Sequence, residues 1–330
     1  MNKNRKLAYS LNLQQFGDVM NATTSATTGN DLRPEIKQFY DKNLIRLAEP
    51  YLVHDRFAQQ KPIPRGNGKT ISFRKFSKLP KALTPLTEGV TPDGQALNVS
   101  EITATVAQYG GYVKITDVLQ LASFDPIITE ATELIAQQAG RTLDTITREI
   151  LNGGTNVQYA DGTVASRAAL TASNTLTVKA VQMAATALKA QDAPMLDGGY
   201  YAAIIHPNVA YDLMRDQEWA DWQKHTSPEH MYNGEIGRIA NVVFFESTEA
   251  KIFEGAGASS ADVYSTVIIG KNAYGTTSIQ GGGLETIIKS NEQAGGPLNQ
   301  YSTVGWKAIK TAERLIEEYM IRIETGCSAA

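Results

Sequence analysis

Apolar residues recur at steps of three or four between Asp125 and Gly154, which is the spacing of one face of an α-helix. Asp125 is a favourable N-cap, Pro126 is a favourable first helical residue, and the two glycines after Asn152 favour a stop. The apolar face consists of Ile128, Ala131, Ile135, Ala139, Leu143, Ile146 and Ile150. The pattern predicts a helix over residues 125–151, about 40 Å long at a rise of 1.5 Å per residue.

Two alternating segments ahead of this helix predict a two-stranded β-arm. Ile71 and Phe73 fall on one face of residues 70–76, and residues 102–109 alternate in the same way. Residues 79–93 between them contain Pro and Gly and are too many for a tight turn. Because two strands alone are marginally stable in water, we expect the arm to lie against a neighbour.

The region 155–297 mixes helical and strand patterns. Helices are predicted around Val178, Val181, Ala185 and Leu188, ending before Pro194, and from Pro207 through Val209 and Leu213. Strands are predicted at residues 200–205, 241–245 and 263–269. Alternating elements of this kind indicate a compact α/β lobe.

The end of the chain carries two further extended segments, at residues 301–307 and 319–324. Val304, Trp306 and Ala308 fall on one face of the first, and Tyr319, Ile321 and Ile323 on one face of the second. We interpret these segments as a return of the chain to a sheet begun far earlier, with the middle of the chain as an inserted lobe.

The first sixty or so residues have the pattern of an arm. Residues 21–30 contain Thr, Ser, Ala and Gly with little apolar surface, so order there would come from a partner. A short helix is predicted after Pro34, with Phe39, Tyr40, Leu44 and Leu47 on one face, before Pro50 ends it.

Composition narrows the class of protein. The 330 residues are 42% hydrophobic and 20% charged, which is enough for a sizeable core. The 31 basic and 34 acidic side chains create no net positive field, so contacts with DNA should be weak or local. Cys327, the one cysteine, stands in what we interpret as a tail, which fits a reducing cytoplasm. We find neither the apolar run of a signal peptide nor that of a membrane span.

Candidate chemistry is weak throughout the chain. Gly68-Lys69-Thr70 ends like a phosphate-binding loop, but Ile63 stands where that motif needs a glycine, and Thr70 opens a strand rather than a helix. The histidines His54, His206, His225 and His230 form no ligand set, and we interpret them as polar loop or surface residues, with His206 at the end of a strand. We therefore predict no metal site and no cofactor.

Other candidate residues also favour ordinary structural roles. No Gly-x-Ser-x-Gly motif occurs, and the adjacent Glu317 and Glu318 are interpreted as solvated surface carboxylates. Trp219, Trp222 and Tyr232 lack the basic groove of a base-stacking platform, which favours core or interface packing. We predict no catalytic residue.

Basic residues cluster on the predicted arm, namely Arg65, Lys69, Arg74, Lys75, Lys78 and Lys81. They could contact nucleic acid or an acidic surface of a neighbouring subunit. Our candidates for contacts between subunits are Phe73, Arg74, Lys75, Lys78, Lys81 and Trp306.

Several short motifs occur in order along the chain. They are residues 11–16 (LNLQQF), 69–74 (KTISFR), 85–92 (PLTEGVTP), 234–239 (GEIGRI), 270–275 (GKNAYG), 304–307 (VGWK) and 322–324 (RIE). In these motifs the sequence resembles the major capsid proteins of tailed bacteriophages, in particular the N4-type coat-protein family.

The resemblance implies an α+β structure of the Hong Kong 97-type capsid fold. Its expected parts are an N-terminal arm (1–65), an extended β-loop (66–116), a peripheral domain with a long spine helix (117–155), an axial α/β domain (156–299) and C-terminal strands that return to the peripheral domain (300–330). Some relatives cross-link their subunits through a lysine and an asparagine, but neither partner matches by motif here, so we predict no cross-link.

The implied function is structural. The chain is expected to be the major capsid subunit, which self-assembles into hexamers and pentamers of an icosahedral shell around double-stranded DNA. Implied partners are further copies of the chain, a portal, scaffold or decoration proteins, and packaged DNA through weak contacts, with no membrane. The implied location is the virion capsid, after synthesis in the host bacterial cytoplasm. Two alternatives stay open: an encapsulin-like compartment shell and a soluble α/β enzyme with a β-arm.

Overall fold

A computed structural model describes residues 44–48, 51–76, 79–86, 88–89, 91, 93–123, 127–219, 235–278, 282–294 and 296–328. The predictions for residues 21–30, for the helix start at Pro34 and for His225, His230, Trp222 and Tyr232 lie outside these residues. The described helices are α1 (Asp117–Ala122), α2 (Ile127–Asn152), α3 (Val178–Ala190), α4 (Pro207–Arg215) and α5 (Asn291–Ala294), with a further helical segment at residues 44–48.

The described strands are β1 (Gln59–Gln60), β2 (Thr70–Phe76), β3 (Val99–Thr105), β4 (Ala107–Thr116), β5 (Val157–Tyr159), β6 (Tyr201–Ile205), β7 (Glu235–Ile239), β8 (Val242–Glu246), β9 (Ile252–Phe253), β10 (Val263–Ile269), β11 (Tyr274–Thr277), β12 (Glu285–Lys289), β13 (Tyr301–Arg314) and β14 (Met320–Thr325). They form a five-stranded sheet of order β1-β11-β13-β12 with β4 also on β13, a seven-stranded sheet of order β5-β14-β10-β6-β8-β7 with β9 also on β10, and the pair β2-β3.

The long helix α2 confirms the strongest prediction from the sequence. It runs through 26 residues, and its predicted start at Asp125 and Pro126 lies outside the described residues. Its buried face packs on the five-stranded sheet in a core formed by Leu44, Ile115, Ala131, Ile135, Ala136, Ala139, Leu143, Val304, Trp306 and Ala308. The segment 44–48 crosses α2 at Gly140, where a Cβ atom would lie 2.7 Å from the carbonyl oxygen of Ala48. Glycine therefore permits the close approach of the two helical segments.

Strand β13 confirms that the chain returns to a sheet begun far earlier. Its residues from Tyr301 to Lys310 pair antiparallel with Thr116 to Ala107 of β4. Strand β14 takes a different path, because it pairs antiparallel with β10 and parallel with β5. The two terminal strands thus enter two different sheets. Tyr319 lies just before β14, in the 3-10 turn Glu317–Tyr319.

The arm is a separate antiparallel pair of β2 and β3, in which Thr70 faces Thr105 and Phe76 faces Val99. The predicted second strand at residues 102–109 is wrong beyond Thr105. Val106 is buried and donates its N–H to the carbonyl of Lys69 at 2.9 Å, and the chain then changes partner from β2 to β13. One run of alternating residues therefore serves two sheets.

The mixed region contains the predicted elements α3, α4, β6, β8 and β10. Helices α3 and α4 pack on the seven-stranded sheet around a core that includes Leu188, Leu213, Trp219, Phe244 and Ile268. Trp219 meets the ring of Phe244 edge-on, at a centroid distance of 5.6 Å. It is a core residue, in agreement with the packing role that the sequence favours.

Cys327 corrects the expectation of a tail. Its side chain is buried in the core beneath the seven-stranded sheet. The adjoining Ser328 donates its backbone N–H to a carboxylate oxygen of Asp212 at 2.8 Å, and Gly326 donates its N–H to Asn174 at 2.9 Å. These bonds fix the segment after β14 against α4 and against the loop before α3. None of the helices in the described part of the chain has both the length and the apolar character needed to span a membrane.

His54 also differs from its predicted surface position. It is buried, its Nδ1 lies 2.6 Å from Oδ2 of Asp144 on α2, and its backbone N–H donates to Oδ1 of the same carboxylate at 2.8 Å. Tyr274 of β11 donates its hydroxyl to the backbone carbonyl of His54, and burial together with nearby Asp55 raises the pKa of that tyrosine. The pair of His54 and Asp144 holds the segment before β1 against α2.

Candidate subunit interface

The β-arm presents exposed apolar side chains at the last pair of its strands and in the segment that joins them. Leu83 is 82% exposed and Leu86 is 77% exposed, whereas leucine side chains are usually buried in folded proteins. The exposed apolar residues of the arm are Phe76, Leu79, Leu83, Leu86, Leu97 and Val99. Surface of this kind favours contact with another molecule.

The base of the arm is held to the body by Phe73 and Lys75. Phe73 is buried, and its ring packs on Gly275 of β11, where a Cβ atom would lie 2.9 Å from the ring. The ammonium of Lys61 lies 5.5 Å from the centre of the same ring. Lys75 pairs with Glu318 at 3.3 Å. The arm therefore joins the body next to the C-terminal end of β13.

This geometry narrows the set of candidate contact residues. Phe73 is 6% exposed and Trp306 is 4% exposed, so both side chains pack mainly within the subunit. Arg74 and Lys81 are exposed on the arm, with Glu101 opposite Arg74 in the strand register. Lys78 lies outside the described residues. Arg74 and Lys81 thus remain available for an interface.

The adjacent carboxylates of Glu317 and Glu318 contact protein groups as well as solvent. Glu317 accepts a hydrogen bond from the backbone N–H of Thr155 at 2.5 Å and pairs with Arg314 at 3.3 Å. A hydrogen bond from its own backbone, opposed by partial burial and supported by Lys75, lowers the pKa of the Glu318 carboxyl. The contacts with Thr155 and Lys75 were missed because these residues lie far away in the sequence, whereas Arg314, three residues before Glu317, was a usable local signal.

A groove of about 510 Å³ lies on the five-stranded sheet. Val304, Trp306 and Ala308 of β13 pack towards α2, so the alternate residues of β13 face the other side of the sheet. The groove is lined by backbone or side-chain atoms of Gly110, Gly111, Tyr112, Lys114, Ile287, Lys289, Gln293, Ala294, Tyr301, Thr303, Gly305 and Trp306. Of these residues, only Trp306 was predicted from the sequence as a candidate contact residue. Tyr112 and Lys114 alternate with Val113 and Ile115 along β4, and this alternation could have indicated that Tyr112 and Lys114 lie on the face of the sheet away from α2.

The described residues contain no group of three or more His, Cys, Asp or Glu side chains that could hold a metal ion. Trp306 donates its Nε1–H to Oε1 of Gln138 on α2 at 3.2 Å, which links the terminal strand β13 to the long helix.

Comparison with known proteins assigns the family. A sequence model described as phage capsid protein matches residues 100–311. The chain belongs to the phage capsid protein family. No curated protein sequence matches the chain, so the family model carries this assignment.

Solved structures of phage capsids have a similar fold. The capsid of Ralstonia phage GP4 matches with a TM-score of 0.68 and 16% identity, over 83% of this chain and 88% of that chain. The capsid asymmetric unit of cyanophage Pam1 matches with a TM-score of 0.67 and 17% identity, over 86% and 93%. The capsid of cyanophage P-SCSP1u matches with a TM-score of 0.65 and 14% identity, over 84% and 89%.

The family and the fold together confirm the main prediction from the sequence. This phage capsid protein has the α+β, Hong Kong 97-type fold and the structural role of a major capsid subunit. Subunits of this kind associate with one another into capsomers, and their place is the virion capsid. The assignment favours a phage shell over the compartment shell and over the enzyme with a β-arm.

Proposed function

We propose that copies of this chain form hexamers and pentamers of a closed icosahedral shell around the double-stranded DNA of a tailed phage. The observation that carries the proposal is the exposure of apolar side chains on the arm of the isolated chain, namely Phe76, Leu79, Leu83, Leu86, Leu97 and Val99. A closed shell would remove such surface from water by placing it on neighbouring copies.

We propose the domain boundaries that were expected from the sequence. Residues 1–65 would be an N-terminal arm, 66–116 the extended loop, 117–155 the peripheral domain, 156–299 the axial domain, and 300–330 the returning strands. The separate pairing of β2 with β3 supports the second of these parts, and the long helix α2 supports the third.

Further partners in the proposal are a portal, scaffold or decoration proteins, and the packaged DNA. The formal net charge of −3 supports weak contacts with DNA, because a strongly basic wall would bind the phosphates and resist packing. Synthesis would occur in the cytoplasm of the host bacterium. We propose that the chain has no catalytic role.

Assembly of the purified chain tests the proposal. Light scattering at increasing protein concentration, in several salts, should detect large species, and negative-stain microscopy should find rings or shells of uniform diameter. A chain that stays monomeric under all these conditions, with or without added scaffold or a crowding agent, would contradict the proposal.

A further inference from the structure

We propose that Asn67 is a site of spontaneous deamidation, at which the folded chain converts its side-chain amide to a carboxylate through a cyclic imide formed with Gly68. Asn67 lies in the turn 64–69, which follows β1 and leads into the arm strand β2. The proposal concerns a single subunit, so it does not depend on the proposed function.

The reaction needs an asparagine whose next residue leaves its backbone nitrogen accessible. The nitrogen of Gly68, after loss of its proton, attacks the side-chain carbonyl carbon of Asn67, a C–N bond forms, and ammonia leaves. Water then opens the five-membered imide at one of its two carbonyls and gives aspartate or isoaspartate. One water is consumed and one ammonia is released for each carboxylate formed. Glycine favours the attack because it has no Cβ atom to obstruct it.

The turn 64–69 leaves the reacting groups accessible. Asn67 and Gly68 are exposed, and a Cβ atom on Gly68 would meet no other atom within 4 Å. The backbone N–H of Asn67 donates to the carbonyl of Pro64 at 3.3 Å, which is long for a hydrogen bond. Neither the N–H of Gly68 nor the Asn67 amide has a hydrogen-bond partner in the described part of the chain. The attack therefore breaks no bond of the fold.

The same two residue types occur at Asn152-Gly153, where the fold holds the reacting groups. The amide of Asn152 donates to the carbonyl of Arg148 at 2.8 Å and accepts from the hydroxyl of Ser265 at 2.5 Å. The N–H of Gly153 donates to a carbonyl in the last turn of α2 at 3.2 Å. Deamidation of Asn152 therefore requires local opening of the end of α2.

Conversion of Asn67 changes the charge of the segment that joins the arm to the body. Ile63 before the turn is buried, and the carbonyl of Lys69 accepts the N–H of Val106 at 2.9 Å. Between these two fixed points the side chains are exposed, so the new carboxylate stays in water. The formal net charge changes from −3 to −4, because one neutral amide becomes one carboxylate. Isoaspartate also adds one carbon to the main chain at the base of the arm.

Ageing of the full-length chain tests the proposal. The purified protein is kept in a mildly alkaline buffer, and cleavage after glutamate then gives residues 50–88, in which Asn67 is the one asparagine. This peptide should become about 1 Da heavier with time, because a hydroxyl group replaces an amino group. Labelling with an isoaspartate methyltransferase should detect isoaspartate in the same peptide.

Asn152 is the matched control within the same chain. In the folded protein, Asn67 should convert about tenfold faster than Asn152 or more, since only Asn152 needs local opening. In urea the two rates should become similar, and that of Asn67 should change by less than about threefold. Asn233-Gly234 lies outside the described residues and is followed in a separate peptide.

The variant Asn67→Gln separates this site from other sources of the mass change. Glutamine keeps the amide and the charge, but its longer side chain forms a larger ring and reacts far more slowly. Residues 50–88 of the aged variant should therefore keep their mass. Circular dichroism of the variant checks that the fold is the same.

Two results would overturn the proposal. One is conversion of Asn67 in the folded chain as slow as that of Asn152, with both accelerated by urea, because the turn would then protect its amide. The other is an equal gain of mass in residues 50–88 of the wild type and of Asn67→Gln, because the change would then lie at another residue. Neither result bears on shell assembly, which light scattering tests separately.

Discussion

Trp306 stabilises the subunit through a buried ring and through one hydrogen bond, and substitutions can separate the two. Trp306→Ala should lower the free energy of unfolding by about 3–5 kcal/mol, because it leaves a cavity between β13 and α2. Trp306→Phe keeps most of the ring and loses the bond to Gln138, so it should cost less, about 1–2 kcal/mol. Urea unfolding of the soluble protein measures both. Equal midpoints for wild type and Trp306→Ala would refute the packing.

His206 should make stability depend on pH. Its Nδ1 accepts a hydrogen bond from the backbone N–H of Asn208 at 3.2 Å, at the start of α4, and burial lowers its pKa from the ordinary 6.5. The unfolded chain therefore binds this proton more readily than the folded chain. The contribution of His206 to stability is complete above pH 6.5 and is lost as the pH falls through the lowered pKa of the folded state.

The variant His206→Asn isolates this effect from the other histidines. Asparagine can still accept a hydrogen bond as an N-cap and does not titrate. Thermal melting at pH 7 and pH 5 should find a smaller loss of stability in the variant than in the wild type. Equal losses in the two proteins would exclude His206 as a source of the pH dependence.

The burial of His54 and of Cys327 could not be predicted from the sequence. His54 and Cys327 stand in local contexts that indicate surface or tail positions, yet both are buried. The partner of His54 is Asp144, which lies 90 residues further along the chain. Local pattern carries no information about such a pairing, because the fold alone brings the two residues together.

At the scale of elements, one ion pair attaches the segment before β1 to α2 and β13. The carboxylate of Asp55 accepts hydrogen bonds from Lys310 of β13 and, at 2.6 Å, from the hydroxyl of Thr147 on α2. Lys310 also donates to the carbonyl of Leu143 at 2.9 Å. Three elements therefore meet at one carboxylate.

Lys310→Met should destabilise the subunit, because Asp55 would lose its cation in a mostly buried position. We expect a loss of about 3 kcal/mol in the free energy of unfolding, at the low end for buried pairs since Asp55 keeps some solvent contact. Adding Asp55→Asn removes the unpaired charge and should recover part of the loss. Chemical unfolding of the two variants measures this, and a double variant less stable than Lys310→Met would argue against the explanation.

Elements whose pattern is local were predicted well, and those whose limits depend on distant partners were not. Helix α2 follows from its own apolar periodicity, and the face of β13 with Val304 and Trp306 follows from simple alternation. The boundary at Val106 left no mark in that alternation, because the same period continues while the strand partner changes. The sheet joined by β14 was likewise decided by pairing with β5 and β10.

At the scale of the whole molecule, the structure changes how the basic cluster of the arm is interpreted. Lys75 pairs with Glu318 of its own chain, so its charge is balanced without an acidic group on a neighbouring subunit. Arg74 and Lys81 are exposed and remain the candidates. The pairing of β2 with β3 as an arm was visible in the sequence, while the partner of Lys75 was not.

Arg74→Gln with Lys81→Gln should therefore leave the monomer folded and slow assembly. The effect should shrink as salt rises, because exposed charges are screened over about 3 Å at 1 M ionic strength. Circular dichroism checks folding, and the time course of light scattering checks assembly. Lys75→Gln is the comparison, since it releases the arm base instead of an exposed charge. An unchanged rate, or normal assembly with impaired DNA retention alone, would remove the cluster from the subunit interface.

The long pairing of β13 with β4 has a mechanical consequence. Its hydrogen bonds run across the strands from Tyr301 to Lys310, so a pull along β13 loads all of them together, whereas a pull at right angles would open them one after another. The chain enters β4 at Ala107 and leaves β13 beyond Lys310, and these two residues pair with each other at one end of the antiparallel ladder, so tension between the arm and β14 opens the bonds from that end one after another. The pairing should therefore resist a pull between the arm and Tyr301, at opposite ends of the ladder, far better than a pull between the arm and β14.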